Sequence, residues 1–192
     1  MAARFGPSGQ AWLRFDFDEA LRPGAAQAIA ALQQQGIEVH LLSGDRPERV
    51  QRLALQLGLA SAQGAATPED KLAAVRAAQA SGGVVAMLGD GINDAPVLAQ
   101  ADVSLAMGAG ADLARQSADA VLLSMRLADV ADAFALARRT RRVVRQNFIW
   151  AAAYNAACIP LALAGALPPW LAGLGMAASS LVVVANALRL AR

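Results

Sequence analysis

Two carboxylates and an amide stand within five positions in the run Gly89-Asp90-Gly91-Ile92-Asn93-Asp94-Ala95-Pro96. Clustered hard oxygen donors suit Mg²⁺, which keeps several waters and is shared with a substrate phosphate. Gly89 and Gly91 let the backbone turn sharply and approach a ligand closely. Asn, Asp and Gly also dominate turns that bind nothing, so the run alone equally fits an Asx-rich turn. A second set is Ser43-Gly44-Asp45. A hydroxyl and successive backbone N–H groups at the start of a helix make an anion site, or simply an N-cap. The third is Lys71, the only lysine of the chain, in Thr67-Pro68-Glu69-Asp70-Lys71. An ammonium on the first turn of a helix beside a sheet can neutralise phosphoryl charge, although most lysines are solvated.

The surrounding pattern is that of an α/β unit over residues 1–125. Leu21-Arg22-Pro23-Gly24 opens a helix predicted to run to about Gln35, where Gly36 stops it. Ile37–Leu42 reads as a strand, Ser43–Asp45 as a turn, and a helix follows to about Leu57. Thr67 is a natural N-cap for the next helix. Val84–Leu88, Val103–Ala106 and Ala120–Leu123 read as further strands. Strands alternating with helices imply a parallel sheet with right-handed crossovers. Ligands bind at the carboxyl ends of such strands, and the polar motifs sit at those ends.

The rest of the chain has a different solvent in view. From Asn147 to Leu188, 42 residues carry no Asp, Glu, Lys, Arg or His. A bilayer core needs about 20 apolar residues per helix. Two spans fit, Asn147–Leu167 and Leu171–Leu190, with Pro168-Pro169-Trp170 as the turn, since proline breaks helices and Trp favours the interface. A basic helix over about 126–146 leads in. Arg138, Arg139, Arg141, Arg142 and Arg145 precede the first span, and Arg189 and Arg192 close the second. The positive flanks predict both termini in the cytoplasm. With 56% hydrophobic residues and a net charge of only +2, the chain is not disordered. One cysteine, Cys158, excludes a disulfide scaffold. No basic face interleaved with aromatics appears, so nucleic acid is not an expected partner. Met1–Gln10 has no apolar signal-peptide core.

Taken together, these motifs resemble the haloacid dehalogenase superfamily. The full Gly89–Pro96 octet, the Ser-Gly-Asp turn and the Thr-Pro-Glu-Asp-Lys run resemble the phosphorylation domain of P-type ATPases, from about Phe15 to Arg192. The resemblance implies a parallel-sheet, haloacid dehalogenase-like (Rossmannoid) α/β domain followed by a two-helix transmembrane hairpin in the bacterial inner membrane. It implies Mg²⁺ at Asp90, supported by Asn93 and Asp94. Ser43 hydrogen-bonds the phosphoryl oxygens, with Gly44 and Asp45 shaping the loop. Lys71 stabilises the phosphoaspartate, and Lys71, Gly91 and Asn93 meet the bound cofactor. ATP is the substrate, and the phosphoaspartate splits one hard step into two.

For the cargo, the spans hold no carboxylate or histidine, which disfavours Ca²⁺, Mg²⁺ and Zn²⁺, whereas a thioether suits Cu(I). Met176 and Ser180 share a helix face, a pattern that small-residue helix packing also explains. Tyr154-Asn155 and Met176-Ala177-Ala178-Ser179-Ser180 resemble the signatures of copper-transporting heavy-metal P-type ATPases. Tyr154, Asn155, Met176 and Ser180 are then implied in a Cu(I) pathway, with Ser179 beside them. Cys158, one turn on, is a soft ligand or a packing residue.

The family's Asp-Lys-Thr-Gly-Thr and Cys-Pro-Cys motifs do not occur in this sequence. The chain alone is therefore expected neither to hydrolyse ATP nor to carry copper, and the remaining part of a pump, or an intact pump, is an expected partner alongside membrane lipid. A rival reading takes Asp16 and Asp18, in Phe15-Asp16-Phe17-Asp18-Glu19-Ala20, as nucleophile and acid/base of a membrane-anchored phosphatase. Ala20 and Glu19 depart from that pattern. A third reading is a non-catalytic partner that docks onto an intact pump.

Overall fold

The computed structural model describes residues 21–89, 94–107, 118–124 and 126–191, together with the backbone of 2–5 and 13–16. The chain forms two compact units, Met1–Asp129 and Val130–Arg192.

In the first unit the strands that alternate with helices pair in parallel, as the pattern predicts. Strand β3 (His40–Leu42) pairs with β4 (Ser61–Gln63), and β5 (Ala86–Gly89), β6 (Val103–Met107) and β7 (Ala120–Leu122) form a second parallel sheet. Strands β1 (Ala2–Phe5) and β2 (Leu13–Asp16) make an antiparallel pair. Neither this pair nor β4 is marked by the sequence pattern: three-residue Ser-Ala-Gln has no period-2 alternation to read, and only its partner β3 makes it a strand.

The helices are α1 (Ala25–Gln34), α2 (Pro47–Leu57), α3 (Pro68–Ala80) and α4 (Ala95–Gln100). Helix α1 starts later than Leu21 because Gly24 takes a left-handed φ of 81°, which only the next residue can follow into a helix. Gly58, also left-handed, ends α2. The core is built mainly of small residues: Ala25 and Ala28 of α1, Val50 and Ala54 of α2, Val75 of α3 and Ala106 of β6 are buried. Val97 and Leu98 of α4 are fully enclosed. Burial of that kind contributes about 1.5–3 kcal/mol per side chain. It anchors α4, and with it Asp94 at the start of that helix.

In the second unit, the predicted basic helix and first span are one element, α5 (Ala128–Leu163), 36 residues long. At 1.5 Å per residue it extends about 54 Å, well beyond a bilayer core of about 30 Å. Nothing interrupts it at Gln146 because neither the arginines before it nor the apolar residues after it include a helix breaker there. It ends earlier than Leu167, at a turn where Gly165 adopts a φ of 69°. Helix α6 (Pro169–Leu188) begins with Pro169 in its first turn. Among the described residues α6 alone is long and apolar enough by composition to cross a membrane. Asn147, Tyr154 and Asn155 lower the hydropathy of the matching half of α5.

The two helices run antiparallel, as their cross-links show. Trp150 Nε1 donates to Ser179 Oγ (3.0 Å), and Asn186 Nδ2 donates to Asn147 Oδ1 (2.9 Å) and Gln146 Oε1 (3.2 Å). Arg139 donates to the backbone carbonyl of Arg189.

Candidate functional site

Ser43 directly follows β3, and Gly64 directly follows β4. Because the two strands are parallel, their carboxyl ends adjoin, and the loops beyond them interlock. The Ser43 amide donates to the Gln63 carbonyl (3.0 Å), the Ala66 amide to the Ser43 carbonyl (2.9 Å) and the Ala65 amide to the Asp45 carbonyl (2.6 Å). Ser43 Oγ accepts from the Asp45 amide (3.2 Å). The Asp45 carboxylate turns away to the Arg46 amide (2.8 Å) and the Arg49 guanidinium (3.1 Å). Asp45 is thus a loop-shaping residue in geometry, and Arg46, not Ser43, is the N-cap of α2.

Gly64 is what allows this closure. A Cβ there would stand 2.5 Å from Pro47 Cα and 2.9 Å from Pro47 N, inside backbone atoms that cannot swing aside. Ala65 holds a left-handed φ of 51°, a conformation that costs an alanine about 1–2 kcal/mol. Pattern reading passed over both, since neither residue type carries chemistry; a glycine just past a strand was the available signal.

The same loop opens α3. Thr67 Oγ1 accepts from the Asp70 amide (3.1 Å), and Asp70 Oδ2 accepts from the Thr67 amide and hydroxyl (both 2.9 Å). This reciprocal capping box fixes where the helix starts. The Thr67 backbone N–H, and then its hydroxyl, hold the Asp70 carboxyl below its ordinary range. One residue further, Lys71 projects from the first turn and meets Asp94. The Nζ–Oδ1 distance is 2.7 Å, and the two side chains are only 16% and 12% exposed. Asp94 is also the N-cap of α4. It lies against Gly89, where a Cβ would come within 3.3 Å of its Cβ. The glycine thus leaves room for the carboxylate.

Helices α3 and α4 are further tied by paired amides: Gln100 Nε2 donates to Gln79 Oε1, and Gln79 Nε2 to the Gln100 carbonyl (both 3.0 Å). Three of the sequence motifs are therefore linked in one run, from the Ser43 loop through Ala66 and Thr67 to Lys71 and Asp94. Asp90, Gly91 and Asn93 lie outside the described residues. Among the described residues no three His, Cys, Asp or Glu side chains gather as metal ligands. Among the described residues, Asp94 is a nearly buried carboxylate, a hard oxygen donor of the kind Mg²⁺ takes. Asp16 closes β2 in the antiparallel pair, and Asp18 lies outside the described residues.

In the second unit, the residues singled out for a soft metal fall on different faces. Tyr154 lies along the α5–α6 seam, its hydroxyl where a side chain on Gly175 would reach (2.8 Å). Asn147, Ala151 and Cys158 share that half-buried stripe, opposite Ser179 and Asn186. Asn155, Met176 and Ser180 are exposed, off the seam. Met176 is 66% exposed, and the Ser180 hydroxyl donates to the Met176 carbonyl (3.0 Å). The four do not come together within this chain.

Parallel strands with Ser43 past one strand end and Lys71 paired to Asp94 at the starts of two helices define the class: the haloacid dehalogenase-like hydrolase family matches residues 10–102. The nitrogen fixation protein FixI of Rhizobium leguminosarum bv. viciae is 46% identical over 177 residues, which are 92% of this chain and 23% of that protein. The copper-exporting P-type ATPase of Bacillus subtilis (strain 168) is 41% identical over 90% of this chain and 21% of its own length. The crystal structure of a zinc-transporting PIB-type ATPase in its E2.Pi state superposes with a TM-score of 0.83 at 38% identity, over 91% of this chain and 28% of that one. This chain belongs to the heavy-metal P-type ATPases, as their C-terminal haloacid dehalogenase-like part. It spans under a quarter of the length of these two relatives.

Proposed function

We propose that this chain supplies the phosphoryl-handling centre and the closing membrane hairpin of an ATP-driven heavy-metal cation pump, with Cu(I) as cargo. The observation that carries the reading is the Lys71–Asp94 pair, 2.7 Å apart and nearly buried at the carboxyl end of the parallel sheet. An ammonium held by a carboxylate at the carboxyl end of a parallel sheet is matched to a phosphoryl group, whose charge must be neutralised as it is transferred. Lys71 faces the phosphoryl oxygens, and Ser43 donates its hydroxyl to them. Asp45 keeps the Ser43 loop closed. Asp94 orients Lys71 and, with Asp90 and Asn93, offers oxygens to Mg²⁺, which when bound offsets phosphate charge. Gly91 gives the backbone room to approach.

The phosphorylated aspartate is not in this sequence, so the isolated chain is inactive, and its partner is the part of a pump that carries one. Helices α5 and α6 cross the bacterial inner membrane with both ends in the cytoplasm, as the arginine flanks direct. Cu(I) is favoured by Met176 and by a 42-residue stretch without carboxylate or histidine. Tyr154, Asn155 and Ser180 complete the pathway together with groups from the rest of the pump.

A chimera tests this. This chain replaces the matching segment of the Bacillus subtilis relative, and Mg²⁺-dependent ATP hydrolysis is measured with Cu(I) or Zn²⁺. Stimulation by Cu(I), abolished by Asp94→Ala, is expected. Full activity in Asp94→Ala removes the phosphoryl role, and stimulation by Zn²⁺ alone removes the Cu(I) assignment. Hydroxylamine-labile phosphorylation of the isolated chain by ATP would overturn the claim that it is inactive alone.

A further inference from the structure

Four arginines of α5, Arg138, Arg141, Arg142 and Arg145, recur at i, i+3, i+4 and i+7 and so share one helix face. All four are exposed, and with Gln146 and Ile149 they line an open groove along α5. The phosphoryl centre does not use them. The chain has no acidic residue after Asp132, so the segment leading into the apolar stretch carries one sign of charge. The lining is also graded. It is cationic toward Arg138 and apolar at Ile149, next to Trp150, whose indole N–H reaches Ser179 where the two apolar helices pair. An amphiphile with an anionic head has that same order of charge and grease.

We propose that this arginine face binds the phosphate headgroup of anionic phospholipid in the leaflet where α5 enters the bilayer. The inference rests on the membrane reading above. The guanidinium fork pairs with phosphate oxygens two at a time, which gives geometry as well as charge. Basic residues beside a span draw anionic lipid, and the attraction falls off within a Debye length. The face therefore retains a few headgroups beside the helix rather than coating a wide surface. Ile149 lies level with the first acyl carbons.

The full chain is reconstituted in phosphatidylcholine vesicles, with Trp12→Phe and Trp170→Phe leaving Trp150 as the sole tryptophan. Brominated phosphatidylglycerol or brominated phosphatidylcholine is titrated in, and Trp150 quenching is followed. Phosphatidylglycerol should reach half-quenching at a mole fraction on the order of tenfold lower. The preference should vanish in Arg138→Gln/Arg141→Gln/Arg142→Gln/Arg145→Gln and largely survive in the matching Lys variant, whose helicity is checked by circular dichroism. Equal quenching by the two lipids in the parent overturns the proposal, as does a preference that persists in the Gln variant. Loss of the preference on adding inorganic phosphate at constant ionic strength assigns the face to free phosphate and also overturns it. If neither lipid quenches Trp150, α5 does not enter a bilayer, and the membrane reading falls with the proposal; equal quenching leaves that reading intact.

Discussion

Replacing Lys71 with methionine keeps most of the unbranched side chain and removes the ammonium, with its charge and its hydrogen bond to Asp94. The consequence follows from the 2.7 Å contact with Asp94 and the low exposure of both groups. Unscreened attraction at that distance is about 6 kcal/mol at an effective dielectric of 20. Most of it offsets the desolvation of the two ions. What matters is what remains when one partner goes: a carboxylate, 12% exposed, facing a thioether. Removing one side of a charged hydrogen bond costs about 1.5–3 kcal/mol, toward the upper end when the orphan is buried. Residual solvent access trims this to about 2–2.5 kcal/mol.

Hydrogen exchange read by mass spectrometry should therefore speed up on the order of 30–70-fold in peptides from α3 and α4. Peptides from α1 should stay unchanged. Asp94→Leu should produce a similar acceleration. Lys71→Met/Asp94→Leu should be less destabilised than the sum of the two, because no charge is left alone. Exchange in both single variants within a factor of two of the parent would refute the reasoning, since it would mean that the pair is not formed in solution.

Gly64→Ala should disrupt the interlock of the two strand-end loops and destabilise the first unit by about 1–3 kcal/mol, read from chemical denaturation, because its Cβ meets Pro47 backbone; a neutral Gly64→Ala contradicts the close approach. The Asp70 carboxyl should titrate below the ordinary aspartate value of about 3.9, as followed by NMR. Its folded value being depressed, the capping box contributes stability above pH of about 4 and loses it as the pH falls through the folded value. Asp119 should behave alike, since the Ser104 backbone N–H and hydroxyl lower it in the same way; a midpoint at or above the ordinary value contradicts either assignment. Asn186→Leu should weaken the α5–α6 pairing by about 0.6–1.7 kcal/mol in a bilayer unfolding assay. An unchanged pairing energy would show that the Asn147–Asn186 bond does not hold the helices together.

Local chemistry made much of this protein legible from its residues. Thr67 with Asp70 three positions on announces a helix start, because both groups needed to cap it lie within one turn. Gly36 marks the end of α1, because few other residues take a left-handed φ, whereas the span read to Leu167 passed over the same signal at Gly165. The Ser43 and Asp94 motifs could be assigned to strand ends for the same reason: each lies within a few residues of the apolar run that positions it, which the Lys71 motif, behind Ser61–Gln63, does not. The charge-free stretch likewise set two helices apart from the α/β unit. Contacts between distant segments were not legible. Lys71 and Asp94 are 23 positions apart, and nothing in either motif states which oxygen the ammonium reaches. Only the packing of α3 on α4 brings them together. The three-residue strand β4 exists because β3 offers it a ladder, and Gly64 matters only because Pro47 arrives against it. Along α5, composition suggested a connector and a span, whereas hydrogen bonding runs on through both as one helix. Which side of each helix Tyr154 and Met176 occupy was decided by the pairing of α5 with α6. Caps, breakers and solvent preference act over a turn or a run of residues, while register and facing depend on the partner that the fold supplies.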